Sequence, residues 1–325
     1  MRNSAALLIV IFLLLPFVLF TSCTNEAVPA KVAFILDEKD LIPEGITWDP
    51  ETGQFFVSSI MKEKIVSVSD EGLASDFITS GRDSIMETLG MKVDESARRL
   101  WVVSNKKIGE VSYSAVHVFN IDTRELLKKI IIGSETPQLF NDLALSHKGD
   151  AYITDSYNSR IYRVGSDLYG IEPFAGPDSL LLFVNGIAVS PDDKLLYAAS
   201  GARIAIIDIE TGAIMPIADP TGAGSKGIDG IVWYKGSLLG VINAGDTESE
   251  MYVARYILSH DMKEIEEKII LDKGNPLFNL PTTCVIAGDE LYILGSTSLR
   301  LFFQDKKNEK NLFMNPLILK YKLDN

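Results

Sequence analysis

Two cysteines, three histidines and a shortage of positive charge set the first limits on this chain of 325 residues. With cysteine only at 23 and 284, a disulfide scaffold is excluded and the fold must be held by its core. Apolar residues make up 46% of the sequence, which is enough for that over about 300 residues. Lys and Arg total 31 against 44 Asp and Glu, and the formal net charge of −13 comes without any basic stripe, so nucleic acid is not an expected partner. Helical periodicity is nearly missing, with room for one turn at Glu264 to Lys268. Long apolar runs are missing too, except from Leu7 to Phe20 behind the single cation Arg2. That run is short for a transmembrane helix and reads as a signal peptide.

The run closes on Phe20-Thr21-Ser22-Cys23, small residues before a cysteine, which resembles the lipobox where bacterial lipoproteins are cleaved and acylated. Phe20 stands where an aliphatic residue is usual. The expected organisation is a signal peptide over 1–22, a lipid on Cys23, a tether over 23–30 and one domain over 31–325. Such a protein is lipid-anchored at the cell envelope, at the outer membrane or the periplasmic face. Ordinary secretion with cleavage near Ala30 is the alternative. Removing 22 residues leaves 303 and takes away one cation and no acid, so the charge becomes −14. Cys284 then has no partner.

What the chain does contain is a repeat. Pro43-Glu44-Gly45-Ile46 returns as Leu89-Gly90-Met91, Asn141-Asp142-Leu143, Asn185-Gly186-Ile187, Asp229-Gly230-Ile231 and Thr282-Thr283-Cys284. The steps from Glu44 through Leu89, Asn141, Asn185, Asp229 and Thr282 are 45, 52, 44, 44 and 53, close to the length of a four-stranded propeller blade. A second strand follows each marker: Phe55 to Ser58, Leu100 to Val103, Ala151 to Thr154, Leu196 to Ala199, Leu239 to Ile242 and Leu291 to Leu294. In four repeats an aromatic residue (Phe56, Trp101, Tyr152, Tyr197) falls 11 or 12 positions after the marker. Turn residues such as Asp49-Pro50-Glu51-Thr52-Gly53 separate the two strands. The fold class is therefore all-β, a six-bladed β-propeller. After Thr282 only about three strands remain, so Val32 to Leu36 is expected to pair with Leu317 to Leu323 and close the ring as the last blade's outer strand.

The first strand of a blade is innermost, so residues at its leading end converge on the axis at one face. Glu44, Leu89, Asn141, Asn185, Asp229 and Thr282 occupy that ring. Two carboxylates held close are unfavourable unless protonated or met by a cation, and oxygen donors without His or Cys suit Ca²⁺, with Mg²⁺ or Mn²⁺ also compatible. Taken singly, Asn-Gly and Asp-Gly read as turns. At position three either Asn141 or Asp142 is the intended polar group.

These segments, with Tyr152-Ile153-Thr154-Asp155-Ser156, Val184 to Asp192 and Pro281 to Cys284, resemble the SMP-30/gluconolactonase/LRE-like family of six-bladed propellers, related to paraoxonase and diisopropyl fluorophosphatase. The resemblance runs from about residue 40 to about residue 295. It implies that Glu44, Asn185 and Asp229 bind a catalytic divalent ion, that Asn141 is a fourth ligand or a substrate contact, and that a lactone, ester or phosphotriester is hydrolysed. Leu89 stands where paraoxonases carry a catalytic histidine, and Gly45 where they carry an acid for a second calcium. Both departures point toward the gluconolactonase branch.

His147 and His260 fall on the face opposite the ring and His117 in a strand away from the axis, so the base must be a carboxylate. Asp229 is the expected one, with Glu44 as a ligand. Substrate loops are expected at 104–114, 243–250 and 296–315, the last carrying Arg300, Phe302 and Phe303. The expected partner is a small lactone or ester, met by a monomer. A metal-stabilised propeller that only binds a saccharide or protein is the alternative function, and a metal-free strictosidine-synthase-like cavity is a further one, against which the acid and amide ring counts.

Overall fold

The computed structural model describes residues 30–323, except Asp246 and Asp305. The expected signal peptide, Cys23 and residues 24–29 of the tether lie outside the described residues. Six four-stranded antiparallel sheets stand in a ring, and each first strand touches the first strands of both neighbours. The first strands are Ile46–Trp48, Glu87–Asp94, Phe140–Leu145, Ile187–Val189, Ile228–Tyr234 and Cys284–Ala287. The expected second strands are all present, and four of them (Phe55–Ser59, Ala151–Asp155, Leu195–Ala199 and Ser237–Ile242) are buried at every residue. Each is covered on both sheet faces by adjacent blades, which is why they read as unbroken apolar runs without alternation. Outer strands such as Leu126–Ser134 have no fully buried residue. Phe56, Trp101, Tyr152 and Tyr197, the regularly spaced aromatics, are all buried.

The ring closes as expected. Lys31–Ile35 pairs with Leu317–Lys322, so the last sheet combines both ends of the chain. Phe34 seals the join, its ring 5.4 Å from Phe55 and 6.2 Å from Tyr292. We expect that deleting residues 24–36 lowers stability by at least about 3 kcal/mol, the usual cost of losing one buried aromatic, before the unpaired edge is counted. Deleting only 24–29 should leave the denaturation midpoint where it was. Equal midpoints for the two truncations would show that the closing strand carries no stability.

Two expectations are corrected. Glu264 to Lys268 is not a helical turn but mostly part of the strand Ile265–Lys273, an outer strand whose Glu266, Glu267 and Lys273 are exposed. Segment 104–114 is not a loop, because Arg99–Ile108 and Val111–Asn120 run on as a hairpin that turns at Gly109.

On the face away from the ring residues, acids close the turns. Asp49, Asp94, Asp150 and Asp192 each accept a turn amide, and Arg98 bridges blades 1 and 2 through Asp49 at 2.7 Å and Asp122 at 2.8 Å. His147 and His260 lie in turns on this face, and His147 meets Asp193 at 3.0 Å. His117 is buried in the third strand of blade 2, and burial pushes its imidazole down to about 4, so it is a packed neutral group.

Candidate active site

Each marker pair is held outside the regular strand ladder. In blades 1, 4 and 6 the first strand begins just after Glu44-Gly45, Asn185-Gly186 and Thr282-Thr283. In blades 2, 3 and 5 the pairing register shifts at Leu89-Gly90, Asn141-Asp142 and Asp229-Gly230. Bulged backbone re-aims side chains, and here the irregular step recurs at the same place around the axis. Left-handed backbone two residues earlier sets four of the markers: Ile42, Phe183, Gly227 and Leu280 have φ of 47°, 51°, 73° and 52°.

The glycines in the markers are not hairpin turns. A Cβ on Gly90 would come 2.6 Å from the Asp142 Cα, and one on Gly230 2.6 Å from the Thr283 Cα. One on Gly45 would strike the Leu89 carbonyl, and one on Gly186 the Asp229 carbonyl. In each case the obstacle is the marker backbone of the next blade. Where the marker has a side chain instead, that side chain bonds the next blade: Asp142 Oδ2 accepts from the Ile187 amide at 3.4 Å, and Thr283 Oγ1 donates to the Glu44 carbonyl at 2.6 Å. Gly186 N donates to Asp229 O at 2.8 Å. The markers are thus the stitches of the inner ring.

Glu44, Asn141 and Asp229 are buried and Asn185 half-buried. One oxygen of each (Glu44 Oε2, Asn141 Oδ1, Asn185 Oδ1 and Asp229 Oδ1) is shielded from solvent and accepts no hydrogen bond. Four such oxygens on equivalent positions are a costly arrangement unless a donor or cation meets them. Oxygen donors of this kind, two anionic and two amide, fit a hard divalent ion. Among the described residues no three His, Cys, Asp or Glu side chains gather into a metal-binding group. The fit therefore rests on the mixed carboxylate and carboxamide set.

Asp142 does not join that set, since it is committed to blade 4. Leu89 and Thr282 complete the ring without a free donor oxygen: Leu89 is apolar, and Thr282 Oγ1 donates to Glu44 O at 3.1 Å. The other ring side chains are fixed by residues at the end of second strands. Asn141 Nδ2 donates to Ser156 Oγ at 3.0 Å, and Ser156 Oγ donates to Val184 O at 2.5 Å. Asn243 Nδ2 donates both to Asp229 Oδ2 and, at 2.9 Å, to Pro281 O. Asn243 was not singled out by the sequence, yet it turns Asp229 so that Oδ1 is the free oxygen.

Burial pushes the Asp229 carboxyl up to about 6, against the pull of the Asn243 and Asn185 amides. Glu44 is raised further, by burial and then by the charges of Asp229 and Asp142. Lys92 supplies the opposing positive charge for Glu44 and Asp142. It lines, with Leu145, Val189 and Trp233, a cavity of about 230 Å³ between the first strands at the other end of the axis. Cys284 is buried beside the ring, and burial pushes its thiol up to about 12, so it is not a nucleophile.

Residues 42–214, which are 173 of 325, match the model described as the SMP-30/Gluconolactonase/LRE-like region. The chain belongs to that family. No curated protein matches the sequence. Among solved structures, a gluconolactonase from Xanthomonas campestris is 16% identical, with 86% of each chain covered and a TM-score of 0.57. A calcium-binding regucalcin from Agrobacterium tumefaciens is 14% identical over 90% of this chain and 94% of its own, with a TM-score of 0.59. Virginiamycin B lyase from Staphylococcus aureus is 18% identical over 82% of each chain, with a TM-score of 0.56. At these identities the likeness is one of fold. Within this SMP-30/gluconolactonase-type propeller the matched stretch takes in Glu44, Asn141 and Asn185, whereas Asp229 lies beyond it and is placed by geometry alone.

The segment expected to cover the site divides its named residues. Leu299–Phe303 is a short helix that turns Leu299 and Phe302 inward, into one apolar cluster with Ile42, Leu89 and Phe140. Phe302 is therefore core and not a substrate contact, because residues three apart share a helix face. Phe303 is exposed and Arg300 half-buried. Lys307 sits 3.9 Å over the Phe302 ring, and Lys310 binds Asp40 at 2.8 Å, which pins the segment to the entry of blade 1.

Proposed function

We propose that this family member is a divalent-metal-dependent hydrolase of a lactone or ester, using Ca²⁺ with Mg²⁺ or Mn²⁺ as compatible alternatives, and that a lipid on Cys23 holds it at the cell envelope. The observation that carries the proposal is the set of four unpartnered buried oxygens on Glu44, Asn141, Asn185 and Asp229. When bound, such an ion polarises a substrate carbonyl and stabilises the oxyanion that develops on it. Glu44, Asn141, Asn185 and Asp229 would hold the ion. Asp229, with Oδ2 held by Asn243, presents Oδ1 to accept a proton from the attacking water. A carboxyl pushed up to about 6 is close to the ideal range for a base at neutral pH. Leu89 and the apolar cluster beneath it keep bulk water from one side of the ring. The direct test is turnover of a lactone and ester panel with and without calcium; no turnover in any condition would leave a binding propeller.

A pH test needs no substrate. Asp229 and Glu44 have carboxyl pKa values raised in the folded state, so the folded chain keeps protons that the unfolded chain releases above about pH 4. Their contribution is fully present below the unfolded value and is lost as pH rises through about 6 for Asp229. Chelator-treated protein should therefore melt at lower temperature as pH rises from 4 to 7, and calcium should abolish that fall by occupying the ring. A calcium-insensitive melting curve at pH 7 would refute a cation site at this ring.

A further inference from the structure

We infer that Tyr157, Leu182 and Phe183 form the subsite for a hydrocarbon substituent, so that the preferred substrates are lactones or esters carrying an alkyl or aryl group and not polyhydroxylated sugar lactones. The inference rests on the hydrolase reading above. These three side chains are 57%, 51% and 67% exposed, a large apolar surface to leave in water. They belong to two segments that flank the ring. Tyr157 follows Ser156 in the turn between the second and third strands of blade 3, and Leu182 and Phe183 lie three and two residues before Asn185 in the link into blade 4. Ser156 ties the segments together and to the ring, accepting from Asn141 and donating to Val184 O.

Phe183 is held there against its own backbone preference. Its φ of 51° is left-handed, as at the equivalent Ile42, Gly227 and Leu280, but Ile42 is buried and Leu280 half-buried, so exposure is what sets Phe183 apart. The segment is tied to the end of the second strand of blade 4, where Gly201 N donates to Leu182 O at 2.9 Å. A strained and exposed aromatic beside two ring amides is a site feature more readily than a packing feature. Recognition of a polyol needs free polar groups. The amide side chain in the Tyr157 turn, Asn158, has its Nδ2 donors committed to Pro137 O at 3.1 Å and Asp155 Oδ2 at 2.8 Å.

The experiment uses the full protein with saturating calcium. kcat/KM is measured for γ-lactones whose side chain grows from methyl to hexyl and for glucono-1,5-lactone, in wild type, Phe183→Gly and Tyr157→Ser. Wild type should gain about two- to threefold per methylene over the first few carbons, somewhat less than full burial would give, and prefer the longer lactones to gluconolactone. Both variants should lose the dependence on chain length. Phe183→Gly suits the left-handed backbone, so its melting point should hold and loss of the slope cannot be blamed on unfolding. A second readout is calorimetric binding of 5-alkyl-2-pyrrolidinones, which resemble the substrates but are not hydrolysed. If these lactams bind more tightly with longer chains and Phe183→Gly abolishes that trend while no lactone or ester is turned over, the subsite stands and the hydrolase reading falls. If lactones are turned over but neither rate nor lactam affinity depends on chain length, or gluconolactone is the best substrate, the subsite is overturned and the hydrolase reading stands.

Discussion

Asp229→Asn is expected to retain weakened calcium binding and to lose lactone hydrolysis by a factor on the order of 10² to 10⁴, the usual contribution of a general base. The amide keeps an oxygen where Asp229 Oδ1 now stands, and the change is nearly isosteric, so the ring should stay assembled. Glu44→Gln is expected to behave differently. It removes charge from a residue proposed as a ligand, and ligand loss is offset by mass action, so raising calcium should bring the rate back to within about tenfold of wild type. Rate against calcium concentration for the three proteins, with melting temperature recording occupancy, separates the two roles. Full recovery of Asp229→Asn at saturating calcium would mean that Asp229 only binds the ion. Asn243→Ala is a useful companion, because it frees Asp229 Oδ2 without touching either acid.

Gly186→Ala is expected to be among the most damaging single-methyl changes in the chain. The new Cβ would strike the Asp229 carbonyl and come within 2.8 Å of the Ile231 amide nitrogen, both backbone atoms of the next blade that cannot turn aside. Overpacking of this kind costs about 1–3 kcal/mol and more where only backbone can give way, and separating the two blades also pulls Asn185 away from Asp229. Gly170→Ala is the control, since nothing lies within 4 Å of its added methyl and its φ is not left-handed. It should be neutral or slightly stabilising, because it only narrows the unfolded ensemble. Urea midpoints for the two variants decide the matter. Equal midpoints would show that the marker glycines are not there for close approach.

The repeat was legible in the sequence because each blade must supply the same things at the same phase: an inner ring residue, a small or bonding residue next to it, and a second strand buried on both faces. The closing strand was legible by counting, since the last blade was one strand short. The reason for the marker glycines was not legible. Asn-Gly and Asp-Gly suggest turns, and only the packed ring shows that the space for a Cβ is filled by the neighbouring blade. The hairpin across 104–114 was hidden because Lys106, Lys107, Gly109 and Glu110 interrupt the apolar pattern just where the strands rise beyond the core. Asn243 was missed although a signal existed. A polar residue stands at or near the ring-side end of the second strand's core in every blade (Ser59, Asn105, Ser156, Ser200, Asn243 and Thr297), and five of these, all but Ser200, bond the backbone at the entry of an inner strand. Phe302 and Phe303 were read as a pair, and a single helical turn was enough to send one inward and leave the other in solvent.

The antiparallel order of the last sheet fixes a direction of travel. Ile35 is paired with Leu317 and lies level with Ser296, on the side of the ring residues, whereas Lys31 is paired with Lys320 and lies level with Tyr292, toward the acid-closed turns. Whatever precedes Ala30 must depart from the rear of the disc. Under the proposed acylation of Cys23, residues 24 to 29 extend at most about 20 Å, so the rear would face the bilayer at short range and the mouth would open into the aqueous compartment. The acids on that rear side are largely paired, Asp49 with Arg98, Asp150 with Arg163, Asp192 with Lys194 and Asp289 with Lys235, so the rear would carry no unbalanced charge to draw the disc onto acidic headgroups, leaving the mouth to sample solutes that arrive by diffusion.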